Sequence, residues 1–386
     1  MGQKSSNWLL HAGFVLTGVV TTLLGPILVE LARQNHFRDI DSGKLFTAQF
    51  TGSMLGLLLC TLLSSGRSRQ MLVLGFATMG AGVALVSQAH GPTLLAALFL
   101  NGIGISIVTP LINLLIASAG AAHRFAALNL LNFAWSAGAL SWPLMVGAAC
   151  ERNLGVLLVT IAALLCVLAL WFVFSRFQAP AATLPEHTEE TGNNGIPVSL
   201  IAAAFFIYVG VETASAGWLT SLTDRMSASL SFVPNALFWT ALLAGRLACG
   251  TLLRALPSRQ IANWASLVMC VGLALLTMTA SAKIVPVAAI LVGAGLAPLF
   301  PGYIAALARS TLKPAYRPAV FVFAAAGGAL VPLLIGSAST ALHDLRSALI
   351  ILLALGIALT MIQMRMRVEH ASQQSASAAA GNVGRV

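Results

Sequence analysis

Long apolar runs separated by short polar breaks dominate the pattern along the chain. A bilayer core about 30 Å thick needs about 20 apolar residues in helical conformation to cross it. Twelve runs meet that length, at about 8–31, 45–64, 70–88, 92–117, 125–149, 154–175, 198–220, 231–253, 260–281, 284–307, 318–340 and 346–364. The pattern predicts an all-α membrane protein with twelve transmembrane helices. The first run follows one basic residue, Lys4, and has no small-residue cleavage site, so it reads as a retained helix rather than a removed leader. One polar stretch, "QAPAATLPEHTEETGNNGI" at 178–196, divides the helices six and six. Its Pro, Gly, Asn and Glu content reads as a solvated cytoplasmic linker. The division predicts an N-terminal six-helix bundle over 1–177 and a C-terminal one over 197–367. The tail at 368–386, poor in large apolar residues, is expected to be disordered and cytoplasmic.

The two halves share a grammar. "NGIGISIVTP" at 101–110 and "VGAGLAPLFP" at 292–301 both read Gly-x-Gly, five residues, Pro. Gly102 matches Gly293, Gly104 matches Gly295 and Pro110 matches Pro301 at a constant offset of 191. "SRQ" at 68–70 recurs at 258–260, and "GALSWPLMVG" at 138–147 matches "GGALVPLLIG" at 327–336, aligning Pro143 with Pro332. Three matches in register indicate a duplication. An even number of helices per half gives both halves one orientation, related about an axis along the membrane normal. Major facilitator transporters are built that way, with the substrate site near the midplane between the halves. The glycines let neighbouring backbones approach closely, and the prolines remove a backbone hydrogen bond and bend their helices. Gly102, Gly104, Pro110, Pro143, Gly293, Gly295, Pro301 and Pro332 are therefore expected to serve packing and gating. The Gly-x-Gly is no dinucleotide fingerprint, because no third Gly follows and no βαβ unit surrounds it.

Composition agrees with a membrane setting and changes one reading. Of 386 residues, 58% are hydrophobic and 8% charged, with a mean hydropathy of +0.90; soluble domains carry about 25% charged residues. The net charge of +10 would suggest nucleic acid, but its distribution says otherwise. If the helices alternate, Lys4, Arg67, Arg69, Arg124, Arg176, Arg254, Arg259, Arg309, Lys313, Arg317, Arg365 and Arg367 share one side. The other side holds Arg33, Arg38, Lys44, Arg152, Arg225, Lys283 and Arg346, diluted by Asp39, Asp41, Glu151, Asp224 and Asp344. Lys/Arg excess marks the cytoplasmic face. Both termini are expected there, in a bacterial inner membrane, and no nucleic-acid partner is implied. The cysteines at 60, 150, 166, 249 and 270 form no CxxC pair, and the histidines do not cluster. No metal, no cofactor and no enzymatic nucleophile–base set is legible.

Polar groups inside apolar runs are expensive and are the candidates for function. The fourth run carries Ser106, Thr109 and Asn113 on one helical face, and the fifth carries Asn129, Asn132 and Ser136 beside Trp135 and Trp142. The first offers Thr17, Thr21 and Gly25. The seventh places Tyr208 and Glu212 one turn apart, followed by Thr213 and Trp218; the eighth has Trp239 and, two turns on, Arg246; the tenth has Tyr303. The alternative for each hydroxyl and amide is a hydrogen bond between helices. As a set they suit a small polar solute, since amides and carboxylates bond hydroxyls while indole faces cover C–H surfaces. Glu212 lies deep in its run and reads as a substrate or proton group. Arg246 reads as a structural partner or helix anchor, and Glu30 as a residue at the outer mouth.

Four segments resemble the fucose–galactose–glucose:proton symporter family (fucose permease-like) of the major facilitator superfamily. They are "FFIYVGVETASAGWL" (205–219), "FWTALLAGRLACG" (238–250), "ALNLLNFAWSAGALSWPLMVG" (127–147) and "GAGLAPLFPGYIA" (293–305). The resemblance implies Glu212 and Asn132 in the cavity, with Trp135 where a glutamine stands in the fucose symporter. It also implies departures: the family's proton-linked helix-1 aspartate falls on Gly25, and its helix-4 glutamate falls near Ser106–Thr109, where no carboxylate stands. Either Glu212 or Glu30 then couples transport to H+, or transport is facilitated. The reading is a monomeric transporter of a small polar solute, a monosaccharide first, working by alternating access. Multidrug or metabolite efflux and a non-transporting membrane sensor are the alternatives.

Overall fold

A computed structural model describes residues 3–64, 66–117, 124–174, 197–226, 230–251, 258–308, 310, 312 and 317–383. The helices are α1 (Gln3–Thr21), α2 (Leu24–Asn35), α3 (Asp39–Leu63), α4 (Ser68–Val86), α5 (Pro92–Ala117), α6 (Arg124–Phe174), α7 (Val198–Arg225), α8 (Val233–Thr251), α9 (Ser258–Met278), α10 (Val285–Leu296), α11 (Leu299–Ala308), α12 (Arg317–Leu342), α13 (Leu345–Ala348) and α14 (Ile350–Val383). Among the described residues nine helices are long and apolar enough to span a membrane, and the bent pair α1–α2 makes a tenth. The twelve apolar runs all fall on helices: the first on α1–α2, the tenth on α10–α11, the fifth and sixth together on α6. The linker at 178–196 lies outside the described residues. The backbone of 368–383 is helical as the continuation of α14, where composition alone predicts no structure; it contains no Pro, and no Gly before 381, to stop the helix.

The long α6 doubles back on itself. Gly18 packs on the backbone of Trp135, while Gly13, on the same helix α1, packs near Leu168. On a straight helix Trp135 and Leu168 would stand about 50 Å apart at 1.5 Å per residue. The run therefore forms two antiparallel spans, the pair of runs read from the sequence.

Proline explains where helices break. Pro26 has no N–H to offer the carbonyl of Thr22, and the chain bends by 44° between α1 and α2. Trp142 of α6 supports the bend: its indole N–H donates to the Leu23 carbonyl at 2.8 Å. Pro298 and Pro301 act similarly between α10 and α11, where the helix stops at Leu296 and restarts at Leu299. Pro110, Pro143 and Pro332 instead lie inside helices that run on.

Glycine sets the packing, and it does so twice. A Cβ on Gly102 would overlap the Gln49 carbonyl of α3, and one on Gly104 would lie 2.5 Å from the Gly75 carbonyl of α4. In the second copy, Gly293 stands against the Phe238 carbonyl of α8, and a Cβ on Gly295 would lie 2.5 Å from the Met269 amide of α9. Gly138 meets Val15 of α1 as Gly327 meets Phe206 of α7. Each repeat thus uses the same glycines for the same neighbours. Gly102→Ala is expected to destabilise the protein by about 1–3 kcal/mol through overpacking. Gly155→Ala, which enters open space on a helix, should stabilise it by about 0.5–1 kcal/mol. Thermal unfolding of the purified protein in detergent checks both.

Candidate functional site

The halves meet along α3 with α12, α2 with α7, and α6 with α8. At the end of the bundle bearing the α2–α3 turn, the seam is sealed by polar contacts. Asp39 at the start of α3 accepts hydrogen bonds from the Arg225 guanidinium of α7 and from the Ser339 hydroxyl of α12. The Ile40 amide donates to Thr340 Oγ1 at 2.9 Å, and the Thr47 hydroxyl donates to the Ala329 carbonyl at 2.9 Å. Next to this knot lies a crevice of about 260 Å³ between α2, α3 and α7, lined among others by Arg33, Phe37, Ser42, Trp218, Ser221 and Asp224. Further in, the bend before α2 lets Gly25 press on the Ala216 carbonyl of α7, which also accepts from Asn235 Nδ2 at 2.5 Å. A Cβ at Gly25 would lie 2.7 Å from that carbonyl oxygen. A carboxylate has no room at this position in this arrangement.

Two indoles join the halves at mid-depth. Trp135 of α6 and Trp239 of α8 meet edge to face, with ring centroids 5.9 Å apart. Arg246 lies two turns beyond Trp239 on the same face of α8, and its Nη2 stands 3.5 Å from Glu212 Oε1. Glu212 is at the centre of the 28-residue α7, so the contact holds Arg246 at the depth of the bilayer core. Tyr208, one turn from Glu212, donates its hydroxyl to Oε1 at 3.0 Å. Phe300 and Tyr303 of α11 wall Tyr208 in, with centroids 5.4 and 6.2 Å away. Tyr303 itself is 1% exposed, and its hydroxyl is buried without a partner. The structure therefore brings Tyr208, Glu212, Arg246 and Tyr303 into one cluster.

The N-terminal half presents a different polar surface. Thr21 donates its hydroxyl to the Thr17 carbonyl at 2.7 Å, Asn113 its amide to the Thr109 carbonyl at 2.9 Å, and Asn132 its amide to the Leu128 carbonyl at 3.0 Å. Each commits a donor within its own helix, which leaves the Thr21 oxygen, the two amide oxygens and one N–H on each asparagine amide. Thr109 Oγ1 is buried and without a partner. The Asn129 side chain lies outside the described residues. Glu30 is held by Arg33 at 3.2 Å and Gln34 at 2.7 Å near the end of α2, away from the central cluster. Asp344 N-caps α13, where the Ser347 hydroxyl and amide keep its carboxyl below the ordinary carboxylate range.

Sequence reasoning missed the seam. Asp39 and Arg225 read as loop charges because 186 residues separate them, and no local pattern pairs them. Asn235 and Trp142 are fully buried and serve backbone carbonyls of neighbouring helices; a polar residue next to a predicted helix break is the one local signal for such a role. Asp39→Asn should weaken the seal. With Arg225 45% exposed, the loss is about 1 kcal/mol, roughly a fivefold shift in the opening equilibrium. A cysteine introduced at Ser221 in the crevice should then react about fivefold faster with a water-soluble maleimide.

The comparisons with known proteins agree with this architecture. The family model described as Major Facilitator Superfamily matches residues 10–311. Among solved structures, the nucleoside transporter NupG covers 93% of this chain and 98% of its own at 13% identity, with a TM-score of 0.73. The E. coli fucose:proton symporter FucP covers 94% and 98% at 18% identity, TM-score 0.64. A bacterial homologue of the human lysosomal transporter Spinster, inward-facing and unoccupied, covers 97% and 99% at 12% identity, TM-score 0.74. No curated protein matches the chain. The chain belongs to the major facilitator superfamily and is a membrane transporter, not an enzyme.

Proposed function

We propose that the protein carries a small polar solute, a monosaccharide, across a bacterial inner membrane by alternating access and as a monomer. One observation carries this reading: Glu212, Tyr208, Arg246 and Tyr303 converge at mid-depth behind the Trp135–Trp239 pair that joins the two halves. Indole and phenol rings beside amides and a carboxylate match the alternating C–H and O–H surface of a sugar. The Lys/Arg asymmetry of the loops supports cytoplasmic termini. On that orientation the Asp39–Arg225–Ser339 seal is on the outer side, and the conformation faces inward, the state named for the Spinster homologue. Glu212 is the proton-linked carboxylate. It sits in the cluster that touches solute, whereas Glu30 is engaged with Arg33 and Gln34 at the mouth.

Purified protein in proteoliposomes should accumulate labelled hexose or a hexose derivative when an inward pH gradient is imposed. Glu212→Gln should reduce that accumulation by at least tenfold while leaving solute exchange across the membrane intact. Transport of a lipophilic cation with no uptake of any sugar would refute the reading, and unchanged accumulation in the variant would remove Glu212 from coupling.

A further inference from the structure

Arg246 is short of partners. Its side chain is 23% exposed in the interior of the bundle, where it faces Glu212 at 3.5 Å and the neighbouring Tyr208 hydroxyl. A guanidinium bound to a carboxylate sits at about 2.7–2.9 Å and commonly makes two parallel hydrogen bonds. Arg246 makes none at that distance, and its Nε–H is buried with no acceptor. Glu212 has its well-formed hydrogen bond with Tyr208 instead. The pair neutralises two charges without using the directional capacity of the guanidinium fork.

The neighbouring groups lean the same way. Trp239 Nε1–H lies on the same face of α8 and is buried without an acceptor, as is the Tyr303 hydroxyl against α7. The C-terminal half therefore offers unmet donors at a cationic site. The N-terminal half offers an acceptor oxygen at Thr21, whose hydroxyl donor is engaged, and an amide oxygen with one remaining N–H at each of Asn113 and Asn132. A ligand satisfying both walls presents hydroxyl donors to one half and a strong planar acceptor to the other. A neutral hexose supplies the first, but its hydroxyl oxygens accept singly and carry no charge, so it does not match the two-pronged guanidinium fork as a carboxylate does.

We propose that the transported solute is a sugar acid, a polyhydroxylated monocarboxylate, and that Arg246 binds its carboxylate through the guanidinium fork. This rests on the reading of the central cluster as a monosaccharide site and narrows its substrate class. In the empty site Glu212 balances Arg246. When the solute carboxylate takes the fork, the site holds two carboxylates and one guanidinium, and one proton taken up with the solute restores neutrality.

Matched pairs test it: glucose against glucuronate, galactose against galacturonate and mannose against mannuronate, each differing only at the sixth carbon. Binding is read by thermal shift of the full-length detergent-purified protein and transport by uptake into proteoliposomes. At least one hexuronate should bind ten times or more tightly than its hexose. Arg246→Gln should erase that difference, and Arg246→Lys, which keeps the charge without the fork, should retain part of it. Equal or tighter binding of the hexose overturns the sugar-acid assignment and leaves the monosaccharide reading standing. Binding of neither member of any pair overturns both. A hexuronate preference that survives Arg246→Gln in a folded variant overturns the role of Arg246; the wild-type comparison stands without any variant.

Discussion

Backbone-to-backbone approach at glycine is the constraint on which the rest of this structure depends. Inside a bilayer, apolar side chains gain nothing by leaving lipid for protein, so helices adhere through close packing. Gly102 against Gln49, Gly138 against Val15, Gly293 against Phe238 and Gly327 against Phe206 all place one helix's Cα where a side chain would otherwise stand. These contacts repeat in both halves with equivalent partners. The halves meet by the same device, with Gly43 on the Leu333 backbone and Gly336 on the Asp39 carbonyl between α3 and α12, and Gly25 on the Ala216 carbonyl between α2 and α7. Polar contacts around Asp39 and the Trp135–Trp239 pair are added to that seam.

Helix breaks follow the same physics from the other side. Every backbone polar group in lipid must be satisfied within the protein, so a proline break survives only where another group answers the freed carbonyl. At the α1–α2 bend the Trp142 indole answers the carbonyl of Leu23, the residue after the Thr22 whose partner Pro26 removes. The bend in turn brings Gly25 onto the Ala216 carbonyl, which Asn235 also supports. One proline thus positions α2 against α7 and shapes the seam next to the candidate site. In the second half the break falls later, between α10 and α11, and carries Tyr303 against Tyr208. The repeats agree in packing and differ in where they break, so the two halves present different side chains to the centre although their scaffold is duplicated.

Much of this was legible in the residues. Apolar runs of bilayer length, a polar divider between two sets of six and glycines in register 191 residues apart specify a duplicated helical bundle, because span length and close approach are local properties of a helix. Glu212 and Tyr208 were readable as a pair since one helical turn separates them. Trp135 and Trp239 were readable as candidates, but not as contacts with each other. Arg246, readable as a structural partner or as an anchor near a helix end, faces Glu212 at the middle of α7; the choice between the two was open because the relative depth of two helices is not written in either one. Asp39, Arg225, Ser339, Asn235 and Trp142 escaped notice as site-shaping residues for the same reason. Their partners are 119 to 300 residues away for Trp142 and Ser339, and nothing in a local window predicts which carbonyl or carboxylate they meet.

The chain's sequence by itself determined its solvent, its helices, its duplication and the residues too polar to be idle in lipid, since each depends on composition or spacing within one segment. The tertiary structure alone decided which of those polar residues meet, which serve a neighbouring backbone and which guanidinium keeps a buried N–H without an acceptor. Those outcomes depend on distances between segments, and such distances are set only when the glycine seams close.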